Sequence, residues 1–424
     1  MSVLKFIVYD ILGQASLLVG FMALIGLLIQ KKPAAQVITG TVKTIVGFLI
    51  FGIGSSAAQG ALSGFQELFK AGFGLNGVTP IAEAITAQAE TAFPMVIALI
   101  MVFGFAVNLI VAKLTKFKNI FLTGGHSLFL SAMLAIMLKA LGLSDVMAIV
   151  IGAIIEGFAS AIYPSIAQKW MNKVTGTDEI AIGHFCCLAY ALSGWVGSKV
   201  GKPEESTEKF KLPGWLSIFK DYIVSVSLSL GIIFYIAAFA AGKEAVQTLA
   251  GSTNWLLYPL LETLTFTGAL YVIITGVRLF LGEIVPAFVG ISEKWIPGSR
   301  PALDCPVVFP YAPTATVLGF ISAYAAGLIC MAIMAAMHAP NVIIPVAIPY
   351  FFIGATAGVF GNASGGWKGC VLGAFITGVL ISVGPAIVYP IMQSVGLNGT
   401  CFPETDFNFL GIIFNILGKM LGKW

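Results

Sequence analysis

Arg300-Pro301-Ala302-Leu303-Asp304-Cys305-Pro306 sets polar residues and prolines between long apolar runs. Thr79-Pro80-Ile81-Ala82-Glu83-Ala84 repeats the figure in the first half, with a proline followed three residues later by a carboxylate. The displacement of 221 residues (304 − 83) recurs between Gly152-Ala153-Ile154-Ile155-Glu156-Gly157 and Gly373-Ala374-Phe375-Ile376-Thr377-Gly378 (373 − 152). The halves read as duplicated. A proline and an acid inside a hydrophobic chain mark an interrupted helix whose freed backbone groups turn toward a wet cavity, because lipid satisfies neither donor nor acceptor. Interruptions at matching positions of two halves point to a midplane binding site of the kind transporters use.

Composition agrees. Of 424 residues 58% are hydrophobic and 10% charged, and the mean hydropathy is +0.96, which places the chain among polytopic membrane proteins rather than soluble domains. The formal charge of +4 is small and spread over loops, so nucleic acid is not an expected partner. Cys186, Cys187, Cys305, Cys330, Cys370 and Cys401 lack metal-ligand spacing and sit in apolar context, as small core residues do. The first residues carry no signal-peptide pattern, so the run at 11–29 is expected to remain a membrane helix.

That run ends at Lys31-Lys32, which the charge rule places in the cytoplasm. Further apolar runs are expected at 38–53, 93–114, 120–141 and 146–162, with an amphipathic stretch at 59–73 and a re-entrant or buried segment at 180–196. The most polar run, 198–212, carries Lys199, Lys202, Glu204, Glu205, Glu208, Lys209 and Lys211 and reads as a cytoplasmic loop, closed by Trp215 as an interfacial anchor. The second half repeats the layout: runs at 223–241 and 255–274, an amphipathic stretch at 278–295, the second break at 299–313, runs at 316–336, 342–360 and 370–388, and a last amphipathic segment at 407–421. The stretch Asn362-Ala363-Ser364-Gly365-Gly366-Trp367 reads as a turn at an interface. Fainter echoes pair Lys43 with Arg278, and Tyr163-Pro164 with Tyr389-Pro390. The fold class is all-α and polytopic, a single membrane domain with about ten or eleven crossings. Its repeats are 1–197 and 219–392, separated by a cytoplasmic loop at 198–218 and followed by a C-terminal helix at 393–424. Five crossings per half would insert the two repeats in opposite orientation.

Asp304 and Glu83 are the sharpest candidates for chemistry. They either cap the half-helices after each break or accept hydrogen bonds from hydroxyls of a polar solute. His126 follows Thr123-Gly124-Gly125, a turn that lets backbone approach a ligand closely, and His184 follows Gly183; two imidazoles offer a polyol both donors and acceptors. Glu156 has no evident cation nearby and must be paired or protonated if buried. His338, beside Pro340, reads as surface. No phosphate-binding loop, cysteine pair or catalytic triad spacing occurs. Neither a cofactor nor a metal is expected, and energy must come from an ion gradient or a separate partner.

Lys211-Leu212-Pro213-Gly214-Trp215-Leu216 with Ile218-Phe219 and Asp221, Gly276-Val277-Arg278-Leu279-Phe280 with Glu283, Ile296-Pro297-Gly298, Leu303-Asp304-Cys305, Ala312-Pro313 and Gly365-Gly366-Trp367 together resemble the ascorbate-type membrane permease of the bacterial phosphoenolpyruvate-dependent sugar phosphotransferase system. The resemblance is collinear over most of the chain. It implies a multi-pass protein of the bacterial inner membrane, and a homodimer with scaffold and core domains that moves its solute by an elevator motion. It also implies delivery of that solute to separate cytoplasmic IIB and IIA subunits for phosphorylation, the permease itself not being an enzyme. The solute contacts it implies are Ala82, Glu83, Gly125, His126, Phe129, His184, Phe185 and Asp304. Where the ascorbate permease carries Thr-Gly-His this chain has Thr123-Gly124-Gly125, and where it carries Gly-His-Gln this chain has Gly183-His184-Phe185. A polar site discriminates strongly by hydroxyl pattern, so the implied solute is ascorbate or a related sugar acid or pentitol. The residues also admit a proton- or sodium-coupled symporter using Glu83, Glu156 or Asp304, or a membrane receptor in which the acids are caps.

Overall fold

The computed structural model describes residues 15–209, 214 and 221–423. The start of the first apolar run and the anchor Trp215, with most of its motif, lie outside them. The helices are α1 (Ala15–Ile29), α2 (Ala34–Phe73), α3 (Ala82–Ala92), α4 (Pro94–Leu114), α5 (Gly124–Ala140), α6 (Asp145–Thr175) and α7 (Cys187–Val200). After the polar loop come α8 (Tyr222–Ala241), α9 (Lys243–Ala250), α10 (Tyr258–Trp295), α11 (Pro313–Ala336), α12 (Ala347–Ser394) and α13 (Thr405–Met420). Five of the described helices, α2, α4, α6, α11 and α12, are long and apolar enough to cross a membrane, and α8 with α9, bent by 116° at their junction, makes a sixth when the pair is counted as one span. Their outward side chains are apolar: Ile53, Leu114, Val146 and Ile232 are each more than 60% exposed, an arrangement that lipid stabilises and water does not.

Several runs expected as separate segments are continuous. The stretch at 59–73 belongs to the 40-residue α2, because its small residues lower hydropathy without breaking the helix. Ser56 and Ser63 turn their hydroxyls back onto the Gly52 and Gly60 carbonyls, while Gly64 and Gly72 admit Tyr258 and the backbone of Ala240–Ala241. Likewise 255–274 and 278–295 form one 38-residue helix, α10. Its polar residues do not end it, since Glu283 accepts from Lys43 Nζ of α2 at 3.1 Å. The reverse holds at 120–141, where a strand precedes a helix that starts at Gly124. Helix α12 is bent at Gly365 and Gly366 (φ 60°, ψ −152°), a conformation that favours glycine, and this kink occupies the stretch expected as a turn.

Two small parallel sheets are what the hydropathy pattern did not suggest. One has the order β5 (Val342–Ile343), β1 (Gly77–Pro80), β6 (Thr400–Cys401); the other has β2 (Asn119–Phe121), β4 (Arg300–Leu303), β3 (Ala181–Ile182). The two interrupted stretches are their central strands. Each is flanked by strands of the opposite half: β1 pairs with β5 and β6, β4 with β2 and β3. Pro301 has no N–H to give, so the ladder of β4 runs through its neighbours. Arg300 N donates to Lys118 O, while the carbonyls of Ala302 and Leu303 accept from Leu122 N and Gly183 N.

Around the sheets the helices form two packed groups. Helix α2 lies along α10, with α1 and α8 beside it; α7 and α11 lie along α12, and α4 along α6. An apolar cleft of about 740 Å³ separates Phe69, Leu228 and Ile232 of the first group from Phe320, Tyr324 and Leu328 of the second. The polar loop is tied to the second group. Glu208 accepts from the amides of Thr314 and Ala315 at the start of α11, and Thr207 N donates to Asn362 Oδ1 of α12 at 2.9 Å.

Candidate functional site

In a parallel sheet the carboxyl ends of all strands face the same way, and ligands gather there. Here both sheets send their ends to one cavity of about 210 Å³. Strand β1 delivers Ala82 and Glu83, β2 delivers Thr123, Gly125, His126 and Phe129, and β3 delivers His184. From the other half, β4 delivers Asp304 and Cys305, the segment after β5 delivers Ile348, Pro349 and Phe352, and β6 is followed by Pro403 and Glu404. Arg278, on α10, closes the lining from the first helix group.

Seven of the eight expected contacts therefore meet at one place. Phe185 does not. It is fully buried, stacked on Phe121 with ring centroids 4.5 Å apart and packed against Phe407. Adjacent residues of the turn after β3 project in different directions, and only His184 reaches the cavity.

Asp304 is the N-cap of the helical turn 305–311 and accepts from Cys305 N at 2.7 Å. His126 Nε2 stands 3.6 Å from Asp304 Oδ1, an ion-pair rather than a hydrogen-bond distance. The Asp304 carboxyl is walled by protein yet open to the cavity, with 49% of its side chain accessible. Burial by itself would raise its pKa, but contact with His126 and the Cys305 amide together hold it below the usual carboxylate range. The rings of His126 and His184 are 3.9 Å apart, and His184 Nδ1 is bonded to the buried Tyr190 hydroxyl at 3.1 Å. Burial, and then the neighbouring His126, push the His184 pKa well below its ordinary value, so this imidazole is neutral.

Three polar atoms of the lining residues are buried without a partner: Thr123 Oγ1, His126 Nδ1 and Glu404 Oε2. Buried orphans are costly, and three of them border this one cavity. Close packing shapes the same wall. A side chain at Gly183 would meet the Ala302 carbonyl and Thr123 Oγ1. Asp406 accepts from the amides of Cys187 and Leu188 at 2.8 and 3.0 Å, pinning the start of α7 and with it the His184 turn.

His126, His184 and Asp304 hold ligand atoms within 4.8 Å of one another, a spacing that a divalent cation could bridge. A ligating histidine almost always donates its other ring N–H to a partner, and His126 Nδ1 has none. The donor set suits hydroxyls better.

Glu404 and Arg278 were not singled out as site residues from sequence. Arg278 stood in the sequence as half of a faint echo with Lys43 and inside the Gly276–Phe280 motif, without a site role; Lys43 pairs with Glu283 whereas Arg278 lines the cavity. Glu404 had a usable signal: Gly399 and Pro403-Glu404 interrupt the apolar run before 407, the same proline-and-acid punctuation as the two breaks. Outside the cavity, Glu156 is buried on α6 and accepts from Ser131 Oγ at 2.7 Å. His338 is exposed. All six cysteines are buried and unpaired.

Residues 10–406 match the family described as the PTS system sugar-specific permease component. A curated protein of Mycoplasma pneumoniae named "Ascorbate-specific PTS system EIIC component" is 30% identical to this chain over 424 residues, covering 88% of the chain and 64% of that relative. The chain thus spans a little under two thirds of the relative's length.

Proposed function

Since the chain belongs to the sugar-specific permease component family of the phosphotransferase system and is a multi-pass protein of the bacterial cell membrane, we propose that it carries ascorbate or a related sugar acid or pentitol across that membrane for phosphorylation by separate cytoplasmic IIB and IIA subunits. The observation that carries this reading is the meeting of six strand ends on one cavity that holds His126, His184, Asp304 and three unpartnered polar atoms. Asp304, held ionised, accepts from solute hydroxyls; neutral His184, with Nδ1 engaged by Tyr190, turns Nε2 to the solute; Glu83 and His126 extend the polar wall.

The two halves are inverted repeats in this reading, and the exchange of flanking strands between the sheets supports it. The group of α1, α2, α8 and α10 would be the scaffold, carrying the homodimer contact, and the group around α4–α7 and α11–α13 the moving core. The apolar cleft between the groups would let one slide on the other, and the loop at 198–209 would travel with the core it caps. Titration of the purified chain with ascorbate, gluconate and xylitol tests the solute class: binding lost in Asp304→Ala is expected, and wild-type affinity in that variant overturns the site.

A proton-coupled symporter is the second reading, favoured by Glu156, a buried acid with Ser131 as its hydrogen-bond donor. Membrane vesicles separate the two. Accumulation driven by a pH gradient without phosphoenolpyruvate would support the symporter, and phosphorylated product formed only with the cytoplasmic subunits present would support group translocation.

A further inference from the structure

We propose that the apolar cleft between the two helix groups is a binding site for the acyl chains of a membrane phospholipid, held as a wedge between α8 and α11. The inference stands on the fold and its lipid surroundings and makes no use of the solute cavity.

The cleft cannot be wet. Among its described lining residues Tyr324 alone carries a hydroxyl, amide or charge, and a buried water needs about two to four polar partners. Nor can it stand empty. At the cost per unit volume found for buried voids, an unfilled space of about 740 Å³ would forfeit more free energy than holds a typical domain folded. The occupant is therefore hydrocarbon.

Shape decides which kind. The cleft follows α11 from Phe320 to Ala335, about 22 Å at the helical rise, which leaves a mean cross-section of roughly 30 Å². A helix with its side chains is about 10–12 Å across and needs roughly 80–110 Å², so no helix of a second copy fits. A methylene chain packs against its neighbours at about 4 Å and needs roughly 16 Å², so one or two chains fit side by side.

Access comes from the bilayer. Leu228, Ile232, Ile236 and Leu328 line the cleft and are each more than a third exposed, which makes it continuous with the surface that lipid covers. Beyond it the groups touch, Met331 and Met334 of α11 packing on the cluster of Phe65, Phe69 and Ile233. Lipid tails are as apolar as these side chains, so no transfer energy draws a chain out of the bilayer. What favours entry is the set of dispersion contacts that an unfilled seam would lose. In the sliding motion proposed above, a mobile chain fills the seam at every offset of the two groups, which side chains fixed to either wall cannot do.

Native mass spectrometry of the full chain, released from nanodiscs of phosphatidylethanolamine and phosphatidylglycerol, tests this. One phospholipid per chain should survive activation that strips the rest. Ala325→Phe and Leu228→Phe fill the cleft from opposite walls and should lower that retention by about tenfold or more, the equivalent of two methylene groups losing their contacts. Val150→Phe, at an exposed position of α6, should leave it unchanged. In nanodiscs doped with a phosphatidylcholine that carries a diazirine on one acyl chain, illumination should place adducts on Tyr324 and Phe320, and fewer of them in Ala325→Phe. No retained phospholipid in the wild type, retention unaltered in both cleft variants, or adducts confined to exposed positions such as Val150 would each overturn the inference. A change from dimer to monomer in the cleft variants with lipid retention intact would assign the cleft to a second copy and overturn it as well. Should both variants fail to fold, the adduct map of the wild type decides alone.

Discussion

The two interrupted strands use one backbone device and arrive at different electrostatics. Both are central strands of three-stranded parallel sheets, both are flanked by strands of the other half, and both end at the same cavity. Yet the carboxylates that make them look alike in sequence are not in the same register. Asp304 follows β4 directly, as a helix cap bonded to Cys305 N, whereas Glu83 stands three residues beyond the end of β1, inside the first turn of α3. Asp304 also has His126 beside it, and its charge is secured, while burial leaves Glu83 raised above its ordinary pKa despite its own backbone contact and His126. The same strand-and-turn device occurs twice; the charge is set by what packs against each copy.

The sharpest way to break this comparison is to remove each acid in turn. Asp304→Ala should weaken ascorbate binding by about a hundredfold or more, because it removes the cavity's ionised acceptor and leaves the buried His126 without its counter-charge. Glu83→Gln, which keeps the shape, should cost roughly tenfold or less. Equal losses in the two titrations would end the asymmetry. On the same wall, Tyr190→Phe removes the bond that fixes the His184 ring and should weaken binding by a few-fold, about 1 kcal/mol, with the melting temperature little changed; an unaltered affinity would mean that His184 needs no such orientation.

Charge security can be read through stability as well. The Glu404 pKa is raised in the fold to about 7, so its contribution is fully present below the unfolded value near 4.5 and is lost as pH rises through 7. Thermal unfolding without solute should therefore show the wild type losing stability, by a few kcal/mol at most, between about pH 5 and pH 8, with a smaller loss in Glu404→Gln. Asp304, held low, should contribute nothing to that slope. Smallest of all is the second echo. Ser131→Ala strips Glu156 of its hydroxyl partner and should lower stability by about 1–2 kcal/mol while changing ascorbate affinity by less than about twofold, since neither residue lines the cavity. A large loss of binding would move Glu156 into the solute pathway.

Much of this was legible in the chain itself. Hydropathy set the environment, the proline-and-acid figure located both central strands, and the glycine-flanked histidines located two of the three side chains at the heart of the cavity. Helix continuity was less legible. Residues 59–73 and 278–295 read as separate because their small or polar residues lower hydropathy, and only neighbours such as Tyr258 against Gly64, or Lys43 against Glu283, make those residues comfortable inside a long helix. Strands of two to four residues carry no periodicity to detect.

What the sequence determined by itself was a lipid-embedded chain, its two proline-and-acid interruptions and the family it joins, because composition and motif are local properties. Which residues share the cavity was decided by the tertiary structure. Phe185 turned into the core beside Phe121, Arg278 came in from the other helix group, and Glu404 arrived from near the carboxyl terminus. Strand exchange sets residues from both halves side by side, and contacts made across more than a hundred residues of chain leave no trace in the spacing of any one segment.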